Sequence, residues 1–234
     1  MCMSVMLYEG KAKRIYETDE PGVLRVVYKD DATAFNGEKK EVLQGKGKLN
    51  NEISSRLFQQ LKAHGVDSHF VSQVSELEQL VRSVDIIPLE VVVRNIACGS
   101  LVKRTGMERG TKLAAPIVEF YYKDDALGDP LVNRSHIQAM HLAEEAEVNQ
   151  LQEKALRVNE VLVPYFAERG VDLVDFKLEF GRTAEGTILL ADEISPDTCR
   201  FWDQASGESL DKDLFRFSSG NLQEGYAQLL ERLT

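Results

Sequence analysis

Apolar and polar positions alternate along the opening of the chain in three short runs, VMLYEG, KRIYET and GVLRVVYKD, punctuated by Gly10 and by Pro21-Gly22. A period of two broken by turn residues predicts an antiparallel strand meander. Leu49, Ile53, Leu57 and Leu61 then recur at every fourth position and Gly65 follows, which predicts a helix with one apolar stripe and a glycine cap. Two more strands are predicted, near 68–74 and over 84–97. The apolar run of the second is interrupted by Glu90 and Arg94 and ended by Gly99. At Pro88 the pattern passes from meander to longer elements, so a lobe boundary is placed there, giving a 1–88 lobe built on an antiparallel sheet and an 89–234 lobe of mixed elements. Within the second, a polar-rich helix is predicted over 143–170, kinked or split at Pro164 because proline removes a backbone donor. Strands over 172–181 and 187–194 are joined by RTAEG, whose Gly186 eases a hairpin turn, and 211–233 reads as one or two amphipathic helices. The predicted class is α+β, with no internal repeat.

The charges inside these strands are the informative ones. In LVDFKLEFG, strand periodicity puts Val174, Phe176, Leu178 and Phe180 on one face and Asp175, Lys177 and Glu179 on the other. Taken alone, such a stripe reads first as a solvated, self-neutralising sheet face, a preference that its neighbour reverses. The next strand ends in ADEISPD, crowding Asp192, Glu193 and Asp197 beside it. Clustered carboxylates repel unless a cation joins them, and oxygen-only donors suit Mg²⁺ completed by phosphates, which makes Glu179 and Asp192 the candidate ligand pair. Lys11 and Lys13 follow Gly10 on one strand face, where two ammonium groups could clasp a polyphosphate. No Walker A sequence is present, and exposed hairpin lysines give the same pattern. Glu90 and Arg94 share a face as well. They pair with each other, or Arg94 joins Ser100 and Arg200 in holding a phosphate or carboxylate.

Composition narrows the classes. The chain has 234 residues, 43% hydrophobic and 28% charged, which places it among folded domains. Its formal net charge of −10 disfavours nucleic acid or an anionic membrane as the main partner, so any anion site must be a local basic pocket. No apolar run reaches the roughly 18 residues of a spanning helix, and the start lacks a signal-peptide pattern, so a cytoplasmic protein is expected. Cys2, Cys98 and Cys199 form neither a disulfide framework nor a zinc motif. His64, His69, His136 and His141 show no metal spacing and are assigned ordinary core or surface roles, and no Ser/His/Asp triad can be assembled.

Taken together, LYEGKAKRIY, KDDATAFNG, GKGKLNNEIS, IPLEVVVRNIACGSLVKR, LVDFKLEFG and DEISPDTCRFWD resemble the SAICAR synthetase family along nearly the whole chain. The resemblance implies a two-lobed α+β fold with a kinase-like antiparallel nucleotide lobe and ATP between the lobes. It implies a reaction that joins L-aspartate to the carboxylate of 5-amino-1-(5-phosphoribosyl)imidazole-4-carboxylate (CAIR), with ATP and Mg²⁺, in a homodimer. By position, Lys11, Lys13 and Lys123 would contact ATP phosphates and Glu179 and Asp192 would hold Mg²⁺. Glu90, Arg94, Ser100, Asp129, Asp175, Lys177 and Arg200 would bind the ribonucleotide, with Lys13, Asp175 and Lys177 nearest the chemistry. Some relatives have an acid where this chain has Asn36, so the family's extra metal contact is not carried over. A carboxylate resists amine attack because its oxygen leaves poorly, so ATP would first convert it to an acyl phosphate. A small-molecule kinase would use the same lysines and acids but stop at a phosphorylated product, and a noncatalytic nucleotide-binding module would release no ADP.

Overall fold

The computed structural model describes residues 5–34 and 38–233; Asn36 lies outside the described residues. The predicted meander is present as β1 (Met6–Glu9), β2 (Lys13–Glu17) and β3 (Val23–Tyr28), with Gly22 turning between the last two at φ 77°. A separate ribbon, β4 (Asp31–Ala34) and β5 (Lys39–Val42), leads into helix α1 (Lys46–Ala63). Strands β6 (Phe70–Gln73) and β7 (Glu78–Arg82) complete the first sheet in the order β1-β2-β3-β7-β6.

The second sheet begins at β8 (Asp85–Ile96), so the change of sheet falls after Arg82 and Pro88 sits inside a strand. After the short helix α2 (Gly99–Thr105) come β9 (Lys112–Tyr122), β10 (Leu131–Val132), helices α3 (Arg134–Ala139) and α4 (Glu145–Ala167), then β11 (Val171–Arg182), β12 (Ile188–Ala191) and β13 (Cys199–Asp203). The sheet order is β10-β9-β8-β11-β12, and β13 also pairs with β11, so β12 and β13 share one edge of that strand at different heights. Helices α5 (Asp213–Arg216) and α6 (Leu222–Arg232) close the chain. Helix α4 is not split at Pro164 and continues to Ala167; the proline gives up its own bond to the Glu160 carbonyl, but only three helical residues follow it.

One apolar core serves both halves. Ile53, Leu57, Phe58 and Leu61 of α1 join Val91 and Val93 of β8, Leu151, Val158 and Leu162 of α4, and Phe176, Leu178 and Phe180 of β11. Each such side chain contributes about 1.5–3 kcal/mol through burial. The first sheet keeps only a small cluster of its own, Val26, Tyr28 and Val81. The predicted faces of β11 need one correction. The β11–β13 register shifts between Leu173 and Asp175, so Leu173 enters the main core while Val174 packs with Ile96, Cys98 and Trp202.

Candidate active site

Register builds the site. Asp175 of β11 lies opposite Arg94 of β8 on one side and Arg200 of β13 on the other, and four residues along, Glu179 faces Glu90. Like charges directly opposite repel, and Lys177, between them on the same face, reaches both. Its Nζ lies 2.5 Å from Glu179 Oε1 and 3.1 Å from Glu90 Oε1, with Asp192 Oδ2 at 3.7 Å. Burial opposes the Lys177 charge, but Glu179, Asp192 and Glu90 outweigh it and hold its pKa well above the ordinary lysine value. Burial raises the Glu90 pKa despite Lys177.

Beside this stripe the two sheets meet in a cleft of about 600 Å³, lined in part by the β1–β2 turn. Lys13 Nζ pairs with Asp192 Oδ1 and lies 3.0 Å from Glu193 Oε1. Burial works against the Lys13 ammonium, yet Asp192 and Glu193 together hold its pKa above normal, while Lys13 and Lys177 overcome the burial of Asp192 and keep it ionised far below the usual range. Lys123 Nζ reaches Glu179 Oε1 at 2.9 Å, and Lys11 pairs at the rim with Asp125 at 2.7 Å. Asp129 lines the same cleft with a positive φ of 50°, its Oδ1 accepting from the Asp124 N–H. Lys11, Lys13, Glu90, Lys123, Asp129, Lys177, Glu179 and Asp192 thus line one cleft.

Arg94, Ser100, Asp175 and Arg200 form an adjoining cluster rather than the cleft wall itself. Arg94 donates to Glu119 Oε2 (2.8 Å), Asp175 Oδ2 (2.7 Å), Ser100 Oγ (3.0 Å) and Tyr121 OH (3.1 Å). Arg200 donates to both Asp175 oxygens and to Asp213 Oδ2 at 2.8 Å. Burial disfavours both guanidiniums, and Asp175 foremost restores them. The Glu90–Arg94 ion pair left open from sequence is absent, because each finds a partner on a neighbouring strand. At Gly99, φ is 56° and an added Cβ would lie 2.9 Å from the Arg200 guanidinium, so the turn needs glycine for backbone and space alike.

Several site groups were not read from sequence. Glu119 and Tyr121 alternate along β9, and that alternation in PIVEFYY is the signal that could have found them. Behind the cleft, Lys46 is fully buried and binds Asp197 Oδ2 at 2.5 Å, while the Tyr226 hydroxyl donates to Asp197 Oδ1 at 2.6 Å. Lys212 faces the cleft 3.9 Å from Asp197, its pKa lowered by burial. Only assembly of both chain ends brings these groups together.

The residues fit a divalent cation. Among the described residues, eight carboxylates and six cationic side chains line the cleft, an acid excess that would repel a polyphosphate arriving without a metal. Glu179 and Asp192 supply the hard oxygen donors that Mg²⁺ prefers. Among the described residues no set of three or more protein donors is arranged around one point.

Two antiparallel sheets meeting at a cleft of lysines and paired carboxylates define an enzyme that handles nucleotide phosphates. The SAICAR synthetase family model matches residues 6–233. A phosphoribosylaminoimidazole-succinocarboxamide synthase of Brevibacillus brevis is 64% identical over 227 residues, 97% of this chain and 95% of the relative. The crystal structure of the protein of that name from Ehrlichia chaffeensis superposes with a TM-score of 0.95 at 44% identity, covering 98% of each chain. A SAICAR synthetase solved in complex with ADP superposes at 0.94 with 49% identity over 97% of each chain. The chain belongs to the SAICAR synthetase family and is an ATP-dependent ligase that joins L-aspartate to CAIR in purine biosynthesis. Among the described residues no helix is long and apolar enough to cross a membrane.

Proposed function

We propose that the ligase reaction runs in the cleft between the two sheets, with the residue roles that the ion-pair geometry supports. Lys11, Lys13 and Lys123 take the ATP phosphates. Glu179 and Asp192 hold Mg²⁺, which supplies charge neutralisation on the transferring phosphoryl group. Arg94, Ser100 and Arg200 take the ribonucleotide phosphate, exchanging part of their bonds to Glu119, Asp175 and Asp213 for it. Glu90, Asp129, Asp175 and Lys177 orient the ribose and imidazole, Lys177 standing between the two binding regions. The γ-phosphoryl group passes to a carboxylate oxygen of CAIR as the bond to ADP breaks. The aspartate amine then attacks the acyl carbon, inorganic phosphate departs with the C–O bond, and the amine loses its proton. Catalysis is positioning and electrostatic stabilisation, with no protein nucleophile.

The observation that carries this reading is the convergence of Lys13, Lys123 and Lys177 on Asp192 and Glu179, drawn from four separate strands and turns. The test is ADP release with CAIR, with and without L-aspartate. Aspartate-dependent release with SAICAR formed in equal amount is expected, and sustained aspartate-independent release would refute the ligase order. A cytoplasmic homodimer belongs to the same reading; the free thiols of Cys98 and Cys199, both buried, suit a reducing compartment, and sedimentation at micromolar concentration measures the dimer.

A further inference from the structure

His69, assigned an ordinary role from sequence, stands where the two sheets join. Its main-chain N–H donates to the Leu190 carbonyl at 2.7 Å and its carbonyl accepts from the Arg82 N–H at 2.7 Å, so it is fixed at once to β12 and to β7. Neighbouring Ser68 bridges to Leu190 in the parallel sense. The imidazole is 6% exposed, packs edge-on against Phe58 with centroids 5.6 Å apart, and places Nε2 3.1 Å from the main-chain carbonyl of Asp192. A carbonyl oxygen only accepts, so Nε2 carries the proton and donates it.

The acceptor is unusual. Asp192 follows β12 with φ 60°, a left-handed conformation that non-glycine residues adopt rarely and keep only when their surroundings hold it. In that conformation its carboxylate reaches Lys13 through Oδ1 and lies 3.7 Å from Lys177 through Oδ2. We propose that His69 is a positioning residue for Asp192: the imidazole N–H, donated across the seam between the sheets, holds the left-handed peptide that aims this carboxylate at the cation and phosphates. The inference rests on the reading of Asp192 as a Mg²⁺ carboxylate. It adds a residue that touches no substrate and links the first sheet to the metal side of the cleft.

The test uses the full chain and ADP as the probe, titrated calorimetrically in Mg²⁺ and again in EDTA. His69→Phe and His69→Leu remove the donor while keeping an apolar side chain against Phe58, whereas His69→Gln keeps an N–H donor. Asp192→Asn is the reference arm. The donor-less variants should lose about tenfold in the ratio of ADP affinities with and without Mg²⁺, the lower end for a group supporting a metal ligand from behind. Their affinity in EDTA should stay within about twofold of wild type, and His69→Gln should keep the ratio within about threefold. A retained ratio in His69→Phe or His69→Leu would overturn the proposal in favour of packing alone. Equal loss in His69→Gln, or failure of both donor-less variants to fold, would overturn it in favour of a structural role. An unchanged ratio in Asp192→Asn would remove the metal assignment itself, and the inference with it.

Discussion

Replacing Lys13 by Met keeps the length and apolar stem of the side chain and removes one charge. In the wild type that charge pairs with Asp192 and stands 3.0 Å from Glu193, at side-chain exposures of 14%, 22% and 4% for the three residues. Breaking a buried pair by deleting one partner costs about 3–5 kcal/mol, because the abandoned carboxylates stay desolvated. Asp192 retains Lys177 at 3.7 Å, which argues for the lower end, about 3 kcal/mol. For a chain of this size that lowers Tm by about 6–12 °C. Asp192 is held far below the ordinary carboxylate range, so the lost stability is present above the unfolded-state pKa and disappears as pH falls through the folded one. Turnover should fall by about 10²–10³, the effect of removing one preorganised charge from a transition state. Calorimetric melting at neutral and acid pH, with ADP release at saturating substrates, measures both. A Tm within about 2 °C of wild type together with kcat within about threefold would refute the electrostatic role of Lys13.

Other outcomes follow from the same geometry. Arg200→Gln gives up bonds to Asp175 and Asp213 and should raise KM for CAIR about tenfold or more with a smaller change in kcat; steady-state kinetics with an unchanged KM would make this arginine purely structural. Asp203 accepts from the N–H and hydroxyl of Ser206, then pairs with Arg232, and its pKa is drawn down to about 2. Its contribution is complete above the unfolded-state value and lost as pH falls toward 2, so Asp203→Asn should cost about 1–2 kcal/mol at pH 6 and almost nothing near pH 2. Urea melts across that range decide, and a pH-independent gap would count against it. A Cβ on Gly181 would lie 2.5 Å from Val84 Cγ2 and 3.1 Å from the Asp85 carbonyl, so Gly181→Ala should cost about 1–3 kcal/mol in urea, partly relieved by Val84→Ala.

The meander, α1, α4 and the β11–β12 hairpin were legible because each has a sustained period and glycine or proline punctuation at its ends. Strand β9 was not, since KLAAPIVEFYY opens with small residues and a proline and alternates only in its second half. With β9 unread, Glu119 and Tyr121 could not be assigned to Arg94. The cleft acids and lysines were visible as charges in apolar strands, a conflict that sequence records faithfully. Their partners were not, because partnership depends on register: Arg94 sits with Asp175 rather than Glu90 through the pairing of β8 and β11. Lys46 reads as one more lysine of a loop and is the least exposed of the site's cations, since its companions Asp197 and Tyr226 come from the far end of the chain.

The apolar stripe of α1 lies early in the chain but is covered mostly by elements that come later. A fragment ending where the first sheet ends would therefore carry Ile53, Leu57, Phe58 and Leu61 into water, and the remainder would be left with a trough in its own interior. The two sheets therefore do not divide into separable modules, and a chimaera that exchanges the first sheet between relatives is expected to fold only if the helix travels with the half that covers it.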